Sequence, residues 1–191
     1  MLGTISKQEY LEAVKHLKPK TTSGVDGIPP YILKGCAEAL TYPLCILYNL
    51  IIKTRSSPKI WKTSRIIPIP KGGNETRIEN YRPISIICAP AKVFEHIIYT
   101  RIFSHIKSYV CENQHGLIPG RSTTTILLNF SQYIYDAFNE SKQVDAVYFD
   151  FSKAFDRINH DILLKRTLKL RTLLTFFAVN SFIPHREEAI C

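Results

Sequence analysis

The sequence predicts an α+β fold in which amphipathic helices pack with a small number of short strands. Apolar residues recur at steps of three and four along several stretches, which is typical of helices that lie on a core. Two shorter runs, residues 65–71 and 144–151, are rich in β-branched and aromatic side chains and are typical of strands. With 191 residues and 45% hydrophobic content, the chain is long enough to bury the core of one domain.

Local signals place the helices along the chain. Ser6 and Glu9 form a capping-box pattern, which predicts a first helix that ends before Pro19. A helical stripe then covers residues 31–52, and Pro43 is expected to break it into two helices. The remaining helices are predicted over residues 91–109 and, capped by Ser122 or Thr123, over the stretch that carries Leu127, Phe130, Ile134 and Phe138.

The charge of the chain indicates its partner. The formal net charge is +9, from 25 Lys and Arg residues against 16 Asp and Glu residues. Nucleic acid is favoured over an acidic membrane, because no basic amphipathic helix is evident. No transmembrane run or secretory signal is recognised, so an intracellular location is expected, in the nucleus or the cytoplasm. The five cysteines form no C-x-x-C pair and are interpreted as reduced thiols rather than a zinc site.

Residues 144–156 hold the candidate for catalytic chemistry. Their first half is apolar apart from Asp145 and is predicted to form a largely buried strand, with Asp150 at its end. A buried carboxylate needs a compensating partner, and Asp150 with the carbonyl of Phe151 could hold a Mg²⁺ that also contacts substrate phosphates. A buried ion pair is the main alternative. Asp156 is better explained as a helix N-cap.

Basic residues offer candidates for phosphate binding. They outnumber acidic residues most strongly between Lys53 and Arg82, a window that is either a phosphate-facing patch or a solvated surface. Arg82 precedes Pro83 and has apolar flanks, which suits a triphosphate-binding arginine, and pairing with a structural carboxylate is the alternative. Arg121 lies beside a predicted helix start and offers an anion site, whereas His115 in the same loop carries little weight as a ligand.

Three ordered blocks resemble the reverse transcriptases of non-LTR (LINE-type) retrotransposons. They are Lys71 with Asn80-Tyr-Arg-Pro-Ile-Ser85, then Gln114-His-Gly-Leu-Ile-Pro-Gly-Arg-Ser-Thr-Thr124, then Phe149-Asp-Phe-Ser-Lys-Ala-Phe-Asp156 with Ile158-Asn-His-Asp161. Each block is weak evidence alone, but their order makes the resemblance specific. It covers the chain from about residue 20 to at least residue 170 and indicates the N-terminal part of a reverse transcriptase domain.

The resemblance implies the fingers-and-palm fold of right-hand polymerases. Residues 1–19 would form an N-terminal helix and linker, residues 20–143 the fingers, and residues 144–191 part of the palm. Partners in the intact family are an RNA template, a DNA primer and a dNTP, with Mg²⁺ or Mn²⁺ as cofactor. The implied roles are catalytic metal binding by Asp150 with the Phe151 carbonyl, triphosphate binding by Lys71 and Arg82, exclusion of a 2′-hydroxyl by Phe155, and template contact by Gln114, Gly116 and Arg121.

The sequence also departs from the family. The Tyr-x-Asp-Asp hairpin that completes the two-metal site, and the thumb, are absent from the 191 residues. Two-metal nucleotidyl transfer needs further carboxylates, so the chain is expected to be a truncated fragment without polymerase activity of its own. The alternative is a non-catalytic nucleic-acid-binding remnant that kept the basic fingers. No membrane partner is expected, and the oligomeric state is left open.

Overall fold

The structure, a computed structural model, describes residues 3–151, 157–169 and 189–190. Two compact units are formed: one by the described residues up to His105 together with those from His160 onward, the other by Ile106–Asn159. In this described part, no helix is long and apolar enough to cross a membrane.

In chain order the elements are α1 (Lys7–His16), α2 (Pro30–Gly35), α3 (Ala37–Thr54), α4 (Lys59–Lys62), β1 (Ser64–Pro70), β2 (Tyr81–Ile86), α5 (Ala89–Ile106), α6 (Thr123–Asn139), α7 (His160–Lys169) and β3 (Ala189–Ile190), with 3₁₀ turns at Ile78–Asn80 and Lys107–Tyr109. This mixture agrees with the predicted α+β class.

Helix α1 begins and ends where the sequence predicts. The Ser6 hydroxyl accepts a hydrogen bond from the Glu9 N–H, and the Glu9 carboxylate accepts one from the Ser6 N–H, which completes the capping box. At the other end, the ammonium group of Lys34 donates to the carbonyl oxygens of Lys15 (2.9 Å) and Leu17 (3.1 Å). These bonds satisfy carbonyls that the end of a helix leaves without partners, so α2 helps to fix α1.

The expected helix break at Pro43 is wrong. The chain breaks at Cys36, between α2 and α3, and Pro43 lies inside the 18-residue helix α3. Proline removes the bond that its N–H would donate to the carbonyl of Ala39, but both residues are exposed and water can bind that carbonyl. Thr41 and Tyr48 on the opposite side are buried, and we infer that this packing keeps the helix continuous through the proline.

The core of the first unit is an aromatic cluster centred on Tyr48. This residue is 0% exposed, and its ring centroid lies 6.3 Å from that of Tyr10, 6.0 Å from Trp61 and 5.2 Å from Phe94. Its hydroxyl donates a 2.8 Å hydrogen bond to the buried carbonyl of Pro90, at the start of α5. Tyr48 therefore joins α3, α4 and α5 through both packing and a buried polar contact.

Gly24 marks a place where two backbone segments meet. A Cβ atom at this position would lie 2.7 Å from the N atom of Cys88, closer than nonbonded atoms approach. Only glycine fits there without displacing the segment that begins α5. In the same loop, the Asp26 carboxylate accepts a 3.2 Å bond from the Ile28 N–H, so Asp26 stabilises a local turn.

Strands β1 and β2 form an antiparallel hairpin, and β3 pairs in parallel with the start of β1. The sequence predicts β1 but not β2. Pro68 lies opposite Pro83, and two residues further along β1, Pro70 lies opposite Tyr81. The Lys71 N–H donates to the Asn80 carbonyl, so Lys71 and Asn80 form a hydrogen-bonded pair. Because hydrogen-bonded and non-hydrogen-bonded pairs alternate along an antiparallel ladder, the pairs that contain proline are non-hydrogen-bonded ones. All three prolines therefore lie where the backbone points outward, and the hairpin loses no internal bond.

Residues 143–151 form no strand, so the predicted buried strand is wrong for this part of the chain. The segment pairs with none of the described residues, and Tyr148, Phe149 and Phe151 are 85%, 87% and 82% exposed. A strand exists only where a neighbour completes its hydrogen bonds, and apolar composition does not supply that neighbour. Asp150 is also exposed, so the argument from desolvation for a metal or a paired cation does not apply in this structure.

Candidate nucleotide-binding hairpin and metal-binding segment

The β1–β2 hairpin places Lys71 and Arg82 on one face. Lys71 directly follows β1 and pairs with Asn80, its N–H donating to the Asn80 carbonyl at 2.7 Å. Arg82 lies opposite Ile69, which is two residues from Lys71 and therefore on the same face. The two cations are diagonal neighbours on one face of a two-stranded ladder, an arrangement within the reach of long side chains.

The same face carries a third cation and exposed apolar side chains. Arg65 pairs with Ile86, and the residues between the cations are Ile67, Ile69 and Ile84, all exposed. Neither arginine of this face forms a salt bridge with a carboxylate of the described residues. A structural carboxylate partner for Arg82, the alternative raised by the sequence, is therefore not found in the described part of the chain.

A network of hydrogen bonds orders the turn that joins the two strands. Gly72 and Gly73 have φ values of 103° and 87°, which only glycine adopts readily. Asn80 donates from its side chain to the Asn74 carbonyl at 2.6 Å, and the Tyr81 hydroxyl donates to the Glu75 carbonyl at 3.0 Å. Sequence reasoning placed Arg65 only in the general basic window and gave Asn80 no role of its own. An asparagine between a glycine turn and a strand was the available signal for Asn80.

The Lys71 ammonium group has one contact in this turn. It donates a 3.3 Å hydrogen bond to the carbonyl oxygen of Glu79, while the carboxylate of Glu79 forms no salt bridge with it. An ammonium group has three donors, so two stay available on the exposed face of the hairpin. The structure therefore brings Lys71 and Arg82 together with their cationic groups open to a ligand.

In the second unit, Arg121 fastens a loop. Its Nη1 atom donates to the carbonyl oxygens of Cys111 (3.2 Å), Glu112 (2.5 Å) and Gln114 (2.6 Å). The Arg121 N–H also donates to the Ile118 carbonyl, closing a turn with Pro119 second and Gly120 third, at φ 80°. One of the two terminal nitrogens of the guanidinium is thus engaged with the backbone. The Gln114 side chain donates to the Gly116 carbonyl at 3.2 Å, so all three predicted template residues belong to this loop.

His115 ties the same loop to α6. Its Nδ1 lies 2.7 Å from the Thr125 hydroxyl, and its Nε2 lies 3.2 Å from the Asn129 side-chain nitrogen. Because an amide nitrogen can only donate, Nε2 is the acceptor and Nδ1 carries the proton in this arrangement. Ser122 caps α6 through its hydroxyl, as the sequence predicts. His115 is thus a hydrogen-bonded structural residue, in line with the little weight given to it as a ligand.

The predicted metal-binding residues are exposed. Asp150 and Phe151 lie in the second unit, and Phe155 lies outside the described residues. A carboxylate and a backbone carbonyl are hard oxygen donors, which fit Mg²⁺ as part of a coordination shell completed by water and substrate phosphates. Within the described ranges, no group of three or more His, Cys, Asp or Glu side chains is arranged to hold a metal. The Asp150 carboxylate and the Phe151 carbonyl are therefore of the chemical type that binds Mg²⁺, but they supply only part of its coordination shell.

Comparison with known proteins identifies the family. The sequence model described as reverse transcriptase (RNA-dependent DNA polymerase) matches residues 69–189, which include Lys71, strand β2 with Arg82, and Asp150. A probable RNA-directed DNA polymerase from transposon BS of Drosophila melanogaster is 30% identical over 186 residues, which are 96% of this chain and 20% of that protein. The RNA-directed DNA polymerase from mobile element jockey of Drosophila funebris is 25% identical, over 97% of this chain and 21% of that protein. A probable RNA-directed DNA polymerase from transposon X-element of Drosophila melanogaster is 28% identical, over 95% of this chain and 20% of that protein. The chain thus spans about a fifth of the length of these relatives. It belongs to the reverse transcriptase family and is related to the polymerases of non-LTR retrotransposons.

Proposed function

We propose that this chain supplies the nucleotide-binding and template-binding part of an RNA-directed DNA polymerase. The observation that carries the proposal is the shared, exposed face of Lys71 and Arg82 on a hairpin ordered by its own turn. In this proposal, residues 20–143 serve as fingers and residues 144–191 as part of a palm. The partners are an RNA template, a DNA primer and a dNTP.

The hairpin cations suit a triphosphate. Arg82 can donate two parallel hydrogen bonds to one phosphate, while Lys71 acts as a compact point charge beside it. Arg65 lies on the same face and adds positive potential along the hairpin. The isoleucines between the cations lower the local polarity and strengthen each charge-assisted bond. The base and sugar of the nucleotide then extend away from the anchored phosphates.

The other site residues have complementary roles. Asp150 and the carbonyl of Phe151 would hold Mg²⁺ or Mn²⁺, which supplies charge neutralisation on the phosphates when bound. Phe155 lies outside the described residues, and by the family resemblance it would exclude a 2′-hydroxyl, which favours dNTPs over rNTPs. Arg121 acts through the loop that it fastens, so Gln114 and Gly116 meet the template with a fixed backbone. These contacts are made to the nucleic-acid backbone and do not distinguish between base sequences.

Substitution of Arg82 tests the hairpin role. We expect Arg82→Gln to weaken binding of a fluorescent dATP analogue by about tenfold to a hundredfold, because a charge-assisted bond contributes about 1.5–3 kcal/mol. Arg82→Lys should restore only part of the affinity, since lysine cannot bind in two parallel bonds. The control is Arg77→Gln in the turn, which removes the same charge and should change affinity by less than about twofold. Equal losses in Arg82→Gln and Arg77→Gln would refute a specific triphosphate contact.

A second prediction concerns activity. We expect the 191-residue chain on its own to incorporate no dNTP in a primer-extension assay with Mg²⁺ or Mn²⁺. Asp150 is the one carboxylate that the family resemblance assigns to the metals, and clamping of both attacking and leaving oxygens needs more. Incorporation above the background without enzyme, abolished by Asp150→Ala, would show that the chain completes the site by itself and would reverse this part of the proposal.

A further inference from the structure

A basic cleft lies in the first unit between the end of α1 and the first turns of α5. It has a volume of about 290 Å³, and the residues with polar side chains in its wall are His16, Lys18, Lys20, Lys92 and His96. The rest of the lining is apolar, formed by Ala13, Leu17, Pro30 and Val93. No acidic side chain of the described residues lines this cleft. All of its polar wall is therefore formed by basic side chains.

Local backbone structure fixes the three lysines around the opening. The Lys20 N–H donates to the Lys18 carbonyl at 2.8 Å, which makes a tight turn centred on Pro19. The Lys20 carbonyl accepts a 3.3 Å bond from the Tyr31 N–H, and this bond ties the turn to α2. Lys92 lies across the cleft in the first turn of α5. Backbone contacts thus fix the turn that carries Lys18 and Lys20, and all three lysines line the same cleft.

Within the described residues, Lys92 interacts electrostatically with the carboxyl group of Glu95, whose pKa burial raises. None of the three lysines forms a salt bridge with a described carboxylate. The end of α1, whose free carbonyls would repel an anion, is covered because Lys34 donates to the carbonyls of Lys15 and Leu17. Three lysines that line one cleft without a salt bridge raise the electrostatic free energy of the empty protein, and a bound anion relieves it.

Two neighbouring histidines, with rings tilted by 37°, form part of the wall. The imidazole centroids of His16 and His96 lie 4.7 Å apart, and burial, followed by the charge of His16, lowers the pKa of His96. The charged groups lining the adjoining space around the imidazoles are Glu9 and Glu12 of α1 and Arg101 of α5, in addition to the three lysines. A bound anion would favour the imidazolium form, so the histidines can report on occupancy.

We propose that this cleft is a phosphate-binding site, separate from the hairpin cations. Lysine ammonium groups and imidazole N–H groups of residues that line one cleft are donors suited to the oxygens of a phosphate. The phosphate can belong to the backbone of a nucleic-acid strand or to a free polyphosphate. His16, Lys18 and Lys20 precede the residues matched by the reverse transcriptase family. The site uses no residue of the proposed triphosphate contact, so either assignment can fail without the other.

Binding experiments on the full chain can separate the site from general charge. The first probe is a fluorescein-labelled oligouridylate of about 12 nucleotides, and the second is inorganic tripolyphosphate, which competes with it. We expect the triple variant Lys18→Gln/Lys20→Gln/Lys92→Gln to weaken binding by about tenfold or more. Since two of these lysines are exposed, the variant should fold, and the fluorescence of Trp61 in the core checks that it does.

The matched control is Lys7→Gln/Lys15→Gln/Lys107→Gln, which removes the same charge from exposed positions outside the cleft. It should weaken binding by less than about threefold. A cleft-specific loss for the oligouridylate alone supports the site and assigns it to a strand, and a loss for both probes assigns it to phosphate itself. Equal losses in the two triple variants, or no loss in either, would overturn the proposal.

The pKa of His96 is a second measurement, and it distinguishes binding in the cleft from a general effect of net charge. In imidazole NMR spectra, tripolyphosphate should raise the pKa of His96 in the wild type, because the anion stabilises the protonated ring. The effect should be absent from the lysine triple variant and present in the control variant. A pKa of His96 that is unchanged by saturating tripolyphosphate in the wild type would also contradict binding in this cleft.

Discussion

Replacing Tyr48 by alanine should lower the free energy of unfolding of the first unit by about 3–5 kcal/mol. The variant loses ring contacts to Tyr10, Trp61 and Phe94 and leaves a cavity in the core. It also leaves the buried carbonyl of Pro90 without its donor. The measurement is urea denaturation followed by tryptophan fluorescence. Trp61 is the single tryptophan and lies in this cluster, so the signal follows this unit.

Two further variants separate the contributions at this position. Tyr48→Phe keeps the ring and removes the hydroxyl, and should cost about 1–3 kcal/mol for the orphaned carbonyl. Tyr42→Ala lies on the same helix but is 77% exposed, and should change the stability by less than about 0.5 kcal/mol. If Tyr48→Ala were no more destabilising than Tyr42→Ala, the cluster could not be the core that holds α3, α4 and α5 together.

Replacing Glu95 by glutamine should make the protein more stable at neutral and alkaline pH. Burial raises the pKa of this carboxyl group from 4.5 to about 7, although the charge of Lys92 lowers it in part. No described residue donates a hydrogen bond to it. Between these two pKa values the folded state holds the proton and the unfolded state does not. Stability from this group is therefore complete below pH 4.5 and is lost as the pH rises through about 7.

The expected gain for Glu95→Gln is on the order of 2–3 kcal/mol at pH 8 and close to zero at pH 4.5. His96 contributes the opposite slope because its pKa is lowered in the fold, so the informative quantity is the difference between variant and wild type at each pH. The control is Glu75→Gln, at an exposed position in the turn of the hairpin, and its stability difference from wild type should stay close to zero across the pH range. A stability difference between Glu95→Gln and wild type that does not depend on pH would show that the carboxyl group titrates normally in the fold.

Short-range signals in the sequence were sufficient for several helices. The capping residues Ser6 and Ser122 identify the starts of α1 and α6, because a cap depends only on the next three residues. The helical stripe around Phe94 and Ile97 predicts α5, and both side chains are buried. In each of these cases, the residues that determine the structure lie within a few positions of one another.

Features that depend on distant contacts were mispredicted or missed. Pro43 favours a break, but burial of Thr41 and Tyr48 against the core maintains α3 across it. Strand β2 was missed because its pairing with β1 comes from the register across the turn, and Pro83 is an unfavourable local signal for a strand. The segment that ends at Phe151 has the opposite problem, since its composition favours a strand and no described neighbour pairs with it.

The candidate site was predicted unevenly for the same reason. The sequence alone identifies Lys71 and Arg82 as phosphate-binding candidates, and the hairpin places them on one face. The interpretation of Arg121 as an anion site could not anticipate that three backbone carbonyls of its own loop accept hydrogen bonds from one nitrogen of the guanidinium. Hydrogen bonds to backbone carbonyls leave no trace in residue identity, so a structural arginine and a ligand-binding arginine look alike in a sequence.

The outward-pointing prolines of the hairpin also bear on self-association. On β1, the outward-facing positions beyond the stretch that pairs with β3 are Ile66, Pro68 and Pro70, and of these only Ile66 has an N–H to donate. On β2, Pro83 lacks an N–H and lies between the outward-facing residues Tyr81 and Ser85. A strand from another molecule would find too few donors on either edge to extend the sheet, so the hairpin resists edge-to-edge aggregation. An exposed pair of strands with apolar side chains can thus remain open on its cationic face, as the proposed nucleotide contact requires, without recruiting copies of itself.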